Sequence, residues 1–171
     1  MEIKTKIKTQ SAGEFDVIYK DVDSITELNG VHIHHVAAYA FCDGKLVIVR
    51  DGVKDTWTPA GGGVEESETI EQAVEREVME ESNMRVLCQH IIGYQAISEA
   101  HRITNQTRSF CIVEPYGPFI SDPDGDIVEI KLIDPTDYKE YFDWGVVGDH
   151  VMKKALNYLV EYKAKKKTGD M

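Results

Sequence analysis

Residues 61–84 read Gly61-Gly62-Gly63-Val64-Glu65-Glu66-Ser67-Glu68-Thr69-Ile70-Glu71-Gln72-Ala73-Val74-Glu75-Arg76-Glu77-Val78-Met79-Glu80-Glu81-Ser82-Asn83-Met84. Three glycines make a loop, and Thr69–Ser82 has the punctuation of a helix. Thr69 suits the N-cap, and Gln72 three residues on completes a capping box. Asn83 stands where the helix should end, and Asn is the usual substitute for Gly in the left-handed conformation that closes helices. Spacing the residues about 100° apart puts Ile70, Ala73, Val74 and Val78 on one apolar stripe. Glu77 and Glu81 fall inside that stripe, and Glu80 lies on its flank. A solvated acidic face would lie opposite. These carboxylates are therefore expected to point into the protein, where an unpaired charge is costly. Glu77 and Glu81, four residues apart, also repel each other. The single Arg76 cannot neutralise all three. A hard divalent cation can, because Mg²⁺ and its relatives take carboxylate and water oxygens. Gly61, Gly62 and Gly63 let backbone approach a ligand with no Cβ in the way.

The rest of the chain sets this stretch in relief. Its 171 residues carry a net charge of −11, and residues 61–84 contain eight glutamates against one arginine. An acidic chain repels nucleic acid, so no nucleic-acid partner is expected. No apolar run approaches the roughly 18–20 residues of a membrane span, so no membrane partner is expected either. Met1–Gln10 alternates Lys and Thr with Ile and lacks the apolar core of a signal peptide. Cys42, Cys88 and Cys111 are widely separated, which argues against disulfides and a zinc site and for a reducing cytoplasm.

Working outward, Val36–Cys42 and Lys45–Arg50 read as strands around an Asp43-Gly44 hairpin turn. Trp57-Thr58-Pro59-Ala60 leads into the glycines, with Trp57 a packing anchor. Arg85–Ser98, Thr107–Glu114 and Ile127–Ile133 read as strands, and 115–125 as a proline-rich loop. Val151, Ala155, Leu159 and Tyr162 recur at helical spacing. The lysines at 163–167 suit the end of that helix. Residues 1–30 read as an N-terminal extension with β-like pieces at Ile3–Thr9 and Glu14–Tyr19. It is expected to pack on the rest of a single 1–171 domain, or to pair between two copies in a homodimer. Strands and helices interspersed in this way predict a mixed α/β (α+β) fold, a sheet covered by helices.

The quoted stretch resembles the Nudix box, G-x5-E-x7-R-E-U-x-E-E-x-G-U, where U is a bulky aliphatic residue. Gly62, Glu68, Arg76, Glu77, Val78, Glu80, Glu81 and Met84 stand at its spacing, and Asn83 replaces the final glycine. Trp57-x-Pro59-Ala60-Gly61-Gly62 is also similar to the family's approach to its box. The resemblance implies an α/β/α sandwich with a mixed sheet. It implies a Mg²⁺- or Mn²⁺-dependent pyrophosphohydrolase acting on a nucleoside triphosphate, or on a nucleoside diphosphate linked to another group X. Its partner would be that small-molecule nucleotide. Glu77 and Glu81 would bind metal, with Gly62 offering its carbonyl. Glu80 would bind a further ion or serve as the base that activates water. Arg76 would orient the glutamates, with Glu68 as its partner. Gly61, Gly63 and Asn83 would shape the loop and the helix end.

Other residues invite roles. Glu99, Asp126 and Glu129 are candidates for a base outside the box. Phe142 and Trp144, before the last helix, are candidates to stack on a base. His32, His34 and His35 could form a metal site, although no third ligand follows at diagnostic spacing. Two other functions are compatible with the fold. One is a module that senses a nucleotide without cleaving it. The other is an isoprenoid diphosphate isomerase, which needs an active-site cysteine. No further motif marks a preference for ADP-ribose, diadenosine polyphosphates or coenzyme A.

Overall fold

Strand β3, His35–Cys42, organises the molecule because its side chains alternate between two buried layers. In the computed structural model, which describes residues 1–9, 13–99, 102–120 and 122–169, Val36, Ala38 and Ala40 face one core and Tyr39 and Phe41 the other. Gln10, at the end of the Met1–Gln10 reading, and Ser121 of the proline-rich loop lie outside those residues. Strand β4, Lys45–Asp51, follows the same period of two, with Val47 and Val49 in the first core and Leu46 and Ile48 in the second. A strand buried on both faces reads as a near-continuous apolar run, as both do. The turn between them holds Asp43 at φ 49° and Gly44 at φ 82°, the left-handed pair that a tight hairpin requires.

Around these strands lie β1 (Glu2–Thr9), β2 (Gly13–Asp21), β5 (Thr56–Thr58), β6 (Met84–Glu99), β7 (Arg102–Pro115) and β8 (Ile127–Ile133). Among the described residues the eight strands form one sheet in the order β1-β2-β6-β7-β3-β4-β5, with β8 on β4. The β3–β7 pairing is parallel and the others are antiparallel, so the sheet is mixed. Helix α1 (Ile70–Ser82) covers one face through Ala73, Val74 and Val78. Helix α2 (Gly145–Thr168) covers the other through Val151, Met152, Ala155 and Leu159. Two 3-10 turns, Ile25–Leu28 and Pro135–Glu140, link the elements. The expected mixed α+β architecture is the one observed.

Three features depart most from the sequence reading. The extension is a hairpin, and β2 pairs with β6 from Asp16↔Ser98 to Asp21↔Gly93, so it belongs to the sheet. Strand β7 begins at Arg102 rather than Thr107, because Ile103, Thr104, Asn105 and Gln106 pair with β6 despite their broken apolar pattern. Helix α2 begins at Gly145, a turn and a half before the apolar repeat becomes regular.

Candidate active site

The glycine segment docks on an edge that β3 leaves open. Strands β3 and β4 pair only at Phe41↔Leu46 and Cys42↔Lys45 and then diverge. Along the freed edge, Val36 N–H donates to the Gly62 carbonyl at 2.9 Å and Ala38 N–H to the Ala60 carbonyl at 2.8 Å. Val64 N–H donates back to the His34 carbonyl at 3.0 Å. The approach is close enough to require glycine: a Cβ on Gly61 would stand 2.2 Å from the Val36 carbonyl oxygen. A Cβ on Gly62 would stand 2.4 Å from Glu77 Oε1.

Helix α1 aims its carboxylates at this segment. Its capping box is formed, with Gln72 N–H donating to Thr69 Oγ1 at 3.2 Å and Thr69 N–H to Gln72 Oε1 at 2.9 Å. Asn83 closes the other end at φ 51°, ψ 39°. Its side chain also donates to the Pro118 carbonyl at 2.8 Å, a tie that the glycine of the box could not make. Glu77 is buried within the apolar face. The Glu81 carboxylate accepts the Gly61 N–H at 2.8 Å.

Arg76 is the hub. It donates to both oxygens of Glu68, at 2.9 and 3.0 Å, and to the Gly63 carbonyl at 2.7 Å. It also reaches Glu77 at 2.8 Å and Glu80 at 3.1 Å. Its hydrogen bond to Glu68 holds that carboxyl below the usual range. Burial raises the Glu77 carboxyl, and the Arg76 bond opposes the rise. Glu81 makes no ion pair among the described residues, although Lys54 of the same cavity wall feels its charge. Burial pushes its carboxyl up to about 8 against the Gly61 hydrogen bond, and Glu77, Asp122 and Asp51 add to the rise.

Glu77, Glu80 and Glu81 line one cavity of about 300 Å³ with Gly61, Gly62 and Gly63. Asp51, Asp122, Asp124 and Asp126 line it too, and among the described residues Lys54 is the only cationic side chain in its wall. Asp122 is buried and holds its loop by accepting N–H bonds from Asp124, Asp126 and Ile127 at 3.1–3.3 Å. Sequence reading named Asp126 and missed Asp51, Asp122 and Asp124. The signal was the Asp-Pro-Asp-Gly-Asp run at 122–126, which reads equally well as a turn.

The donor set suits a hard divalent ion. Among the described residues no three His, Cys, Asp or Glu side chains form a closed metal cage. Mg²⁺ characteristically binds through one or two carboxylates, waters and substrate phosphates instead. A half-buried carboxylate without an ion pair, Glu81, together with a backbone cradle at Gly62 that a Cβ would fill, offers that partial coordination.

Several candidates lie elsewhere. Glu129 accepts from Arg50 Nε at 3.1 Å across the β4–β8 pair, outside the cavity. Glu99 pairs with Arg102 at 3.4 Å near the end of the β6–β7 hairpin. Phe142 is buried in the α2-side core, packed on Tyr138 and Trp144 with ring centroids 5.5 and 5.0 Å away. Its ring has no open face to offer a base. Trp144 lines a second cavity on the α2 face. His32 and His34 meet edge to face at 4.6 Å, but His34 Nδ1 already accepts the Asn105 N–H at 3.1 Å. Trp57 packs edge to face on Tyr141 at 5.9 Å with Lys131 over its ring at 4.5 Å, consistent with an anchor.

A family model described as NUDIX domain matches residues 32–153. The fold is similar to that of the pyrophosphohydrolase BsRppH from Bacillus subtilis, with a TM-score of 0.69 at 17% identity over 90% of this chain and 97% of that one. It is also similar to that of a MutT studied from Aliivibrio salmonicida and Vibrio cholerae, with a TM-score of 0.54 at 22% identity over 74% and 97%. A NUDIX-family hydrolase from Clostridium perfringens gives 0.54 at 16% identity over 75% and 99%. No curated protein matches the chain.

Proposed function

The chain belongs to the NUDIX family, and from that premise we propose that it is a pyrophosphohydrolase dependent on Mg²⁺ or Mn²⁺, cleaving a phosphoanhydride in a nucleoside triphosphate or a nucleoside diphosphate derivative. The observation that carries this reading is Glu81, a half-buried carboxylate that makes no ion pair among the described residues, in a cavity walled by six further carboxylates. Glu77 and Glu81, with the Gly62 carbonyl, would hold the metal. Bound there, the ion would neutralise phosphate oxygens and lower the pKa of a water.

The protein's own residues do the positioning. Arg76 fixes Glu68, Glu77, Glu80 and the Gly63 carbonyl in one array, so the carboxylates are oriented before substrate arrives. Gly61 N–H orients Glu81. Glu80 faces the cavity and is only partly engaged by Arg76, which suits it to accept a proton from attacking water. Asp126 is the alternative base from the loop opposite.

Two other functions are less well supported. None of the three cysteines lines the acidic cavity, which disfavours the isomerase. A nucleotide-sensing module would show metal-dependent binding without product release. The test is a nucleotide panel with Mg²⁺, reading released phosphate and pyrophosphate. Turnover is expected to vanish with a chelator and to fall by several orders of magnitude in Glu81→Gln. Wild-type turnover in purified Glu81→Gln would sink the metal assignment.

A further inference from the structure

Strand β8 leaves one long edge of the sheet bare. It pairs with β4 on one side, from Leu46↔Ile133 to Asp51↔Ile127. On its other side, among the described residues, no strand and no backbone hydrogen bond engages residues 128–133. Yet the strand is apolar. It reads Ile127-Val128-Glu129-Ile130-Lys131-Leu132-Ile133, with neither proline nor glycine. Val128 and Leu132 are 50% and 44% exposed. An open apolar edge of this kind pairs readily with another strand unless something blocks it.

The other edges are blocked. Strand β5 is only three residues long. Strand β1, at the far end of the sheet, carries Lys4, Lys6 and Lys8 on one face. When two identical strands pair antiparallel about a two-fold axis normal to the sheet, each residue stands opposite one of its own face, so the cores stay on their proper sides. For β1, every such register centred on Lys4, Thr5, Lys6 or Ile7 sets lysine against lysine, and like charges directly opposite are destabilising. In β8 the two charges differ in sign, and Glu129 and Lys131 flank Ile130. Centred on Ile130, Glu129 of each copy stands opposite Lys131 of the other, and Leu132 reaches Val128. Centring on Glu129 or on Lys131 would set like charges face to face. Charge alone therefore selects one register.

Local structure holds the strand ready for this pairing. Its one irregularity against β4 falls between Ile127 and Glu129, which leaves residues 129–133 in regular register. Glu129 accepts from Arg50 Nε at 3.1 Å, and Lys131 lies over the Trp57 ring at 4.5 Å. On the opposite face Ile130 packs against the α1-side core, and Leu132, paired with Val47 of that core, continues it outward. We infer that β8 is a homodimer interface. Two copies join antiparallel along this edge, with Ile130 at the two-fold axis and a Glu129–Lys131 pair on either side of it. One sheet then runs through both molecules, in a closed, self-complementary contact. So short a ladder makes a weak dimer, with a dissociation constant of roughly 1–100 μM. Nothing in this pairing depends on the hydrolase reading.

Sedimentation equilibrium of the full chain across that concentration range reads the association directly. Glu129→Lys and Lys131→Glu, each checked for folding by circular dichroism, are expected to weaken it about tenfold or more, because each sets like charges opposite at two symmetric places. Mixing the two variants is expected to restore association to the wild-type level, since one copy then offers two cations to the two carboxylates of the other. A variant that merely damaged β8 would not be rescued in this way. A second measurement needs no variant. In hydrogen exchange of the wild-type protein, amides of residues 129–133 are expected to gain protection as concentration rises, while those of β1 do not. A wild-type chain that stays monomeric throughout the range would overturn the inference. So would single variants that associate like wild type, a mixture that fails to recover, or protection that grows at β1 instead of β8.

Discussion

At the scale of single residues, tight backbone approach and helix phase decide most outcomes. Gly61→Ala would drive a methyl into the Val36 carbonyl, 2.2 Å from where the new Cβ must sit. A loss of about 2 kcal/mol is expected in urea unfolding, together with loss of turnover as the segment shifts from Glu81. Asn83→Gly should keep the left-handed helix end but lose the bond to the Pro118 carbonyl, lowering stability by about 1 kcal/mol on the same assay. The box glutamates were legible in the sequence because they interrupt an apolar stripe, a conflict visible from helical spacing alone. The aspartates at 51, 122 and 124 were not. Nothing local distinguishes a turn aspartate from one that the fold carries to the far wall of a cavity. Phe142 misled for the converse reason: a ring near a helix start reads the same whether it faces solvent, ligand or core.

Among the elements, α1 came through most fully because capping box, stripe and terminator all agree on one helix. Its N-cap has a defined cost. Thr69→Ala should remove the bond to Gln72 N–H and destabilise the protein by about 1 kcal/mol in thermal or urea unfolding, with metal dependence retained. The β6–β7 hairpin was read short. Its distal half pairs polar and β-branched residues such as Thr104 and Asn105, whose pairing rests on the partner strand. The burial of Arg108 was not legible because the Thr107–Glu114 run reads as a buried strand, and a charge inside it carries no information on which face receives it.

Across the whole molecule, hairpins were legible and the sheet order was not. The β3–β4 turn announces itself, whereas the β3–β7 pairing joins residues such as His35 and Gln106 with no local signal. The extension is tied to α2 by Asp21, whose carboxylate meets His150 at 2.8 Å, Lys154 at 3.5 Å and the Met1 ammonium at 3.1 Å. Partial burial pushes the Asp21 carboxyl up. The His150 hydrogen bond, the ammonium and Lys154 outweigh that push and lower it from 3.8 to about 2. A depressed carboxyl contributes stability that is present above its unfolded value and lost as pH falls through its folded one. Asp21→Asn should therefore cost about 2 kcal/mol near neutrality. The difference from wild type should close between about pH 4 and pH 2 in acid unfolding followed by circular dichroism. A gap that stays constant to pH 2 would show that the ion pairs contribute nothing.

Strand β3 is one residue thick, yet it is the common wall of two chambers. Its edge at Val36 and Ala38 seats the glycine segment, and Ala37 closes the cavity that holds Arg108. Among the described residues Gln95, Gln106 and Arg108 make no hydrogen bond or ion pair with Glu77, Glu80 or Glu81. The two chambers are consequently separable targets for protein engineering. The polar residues lining the α2-side chamber can be exchanged as a set while every hydrogen-bond partner of Glu77, Glu80 and Glu81 stays as it is.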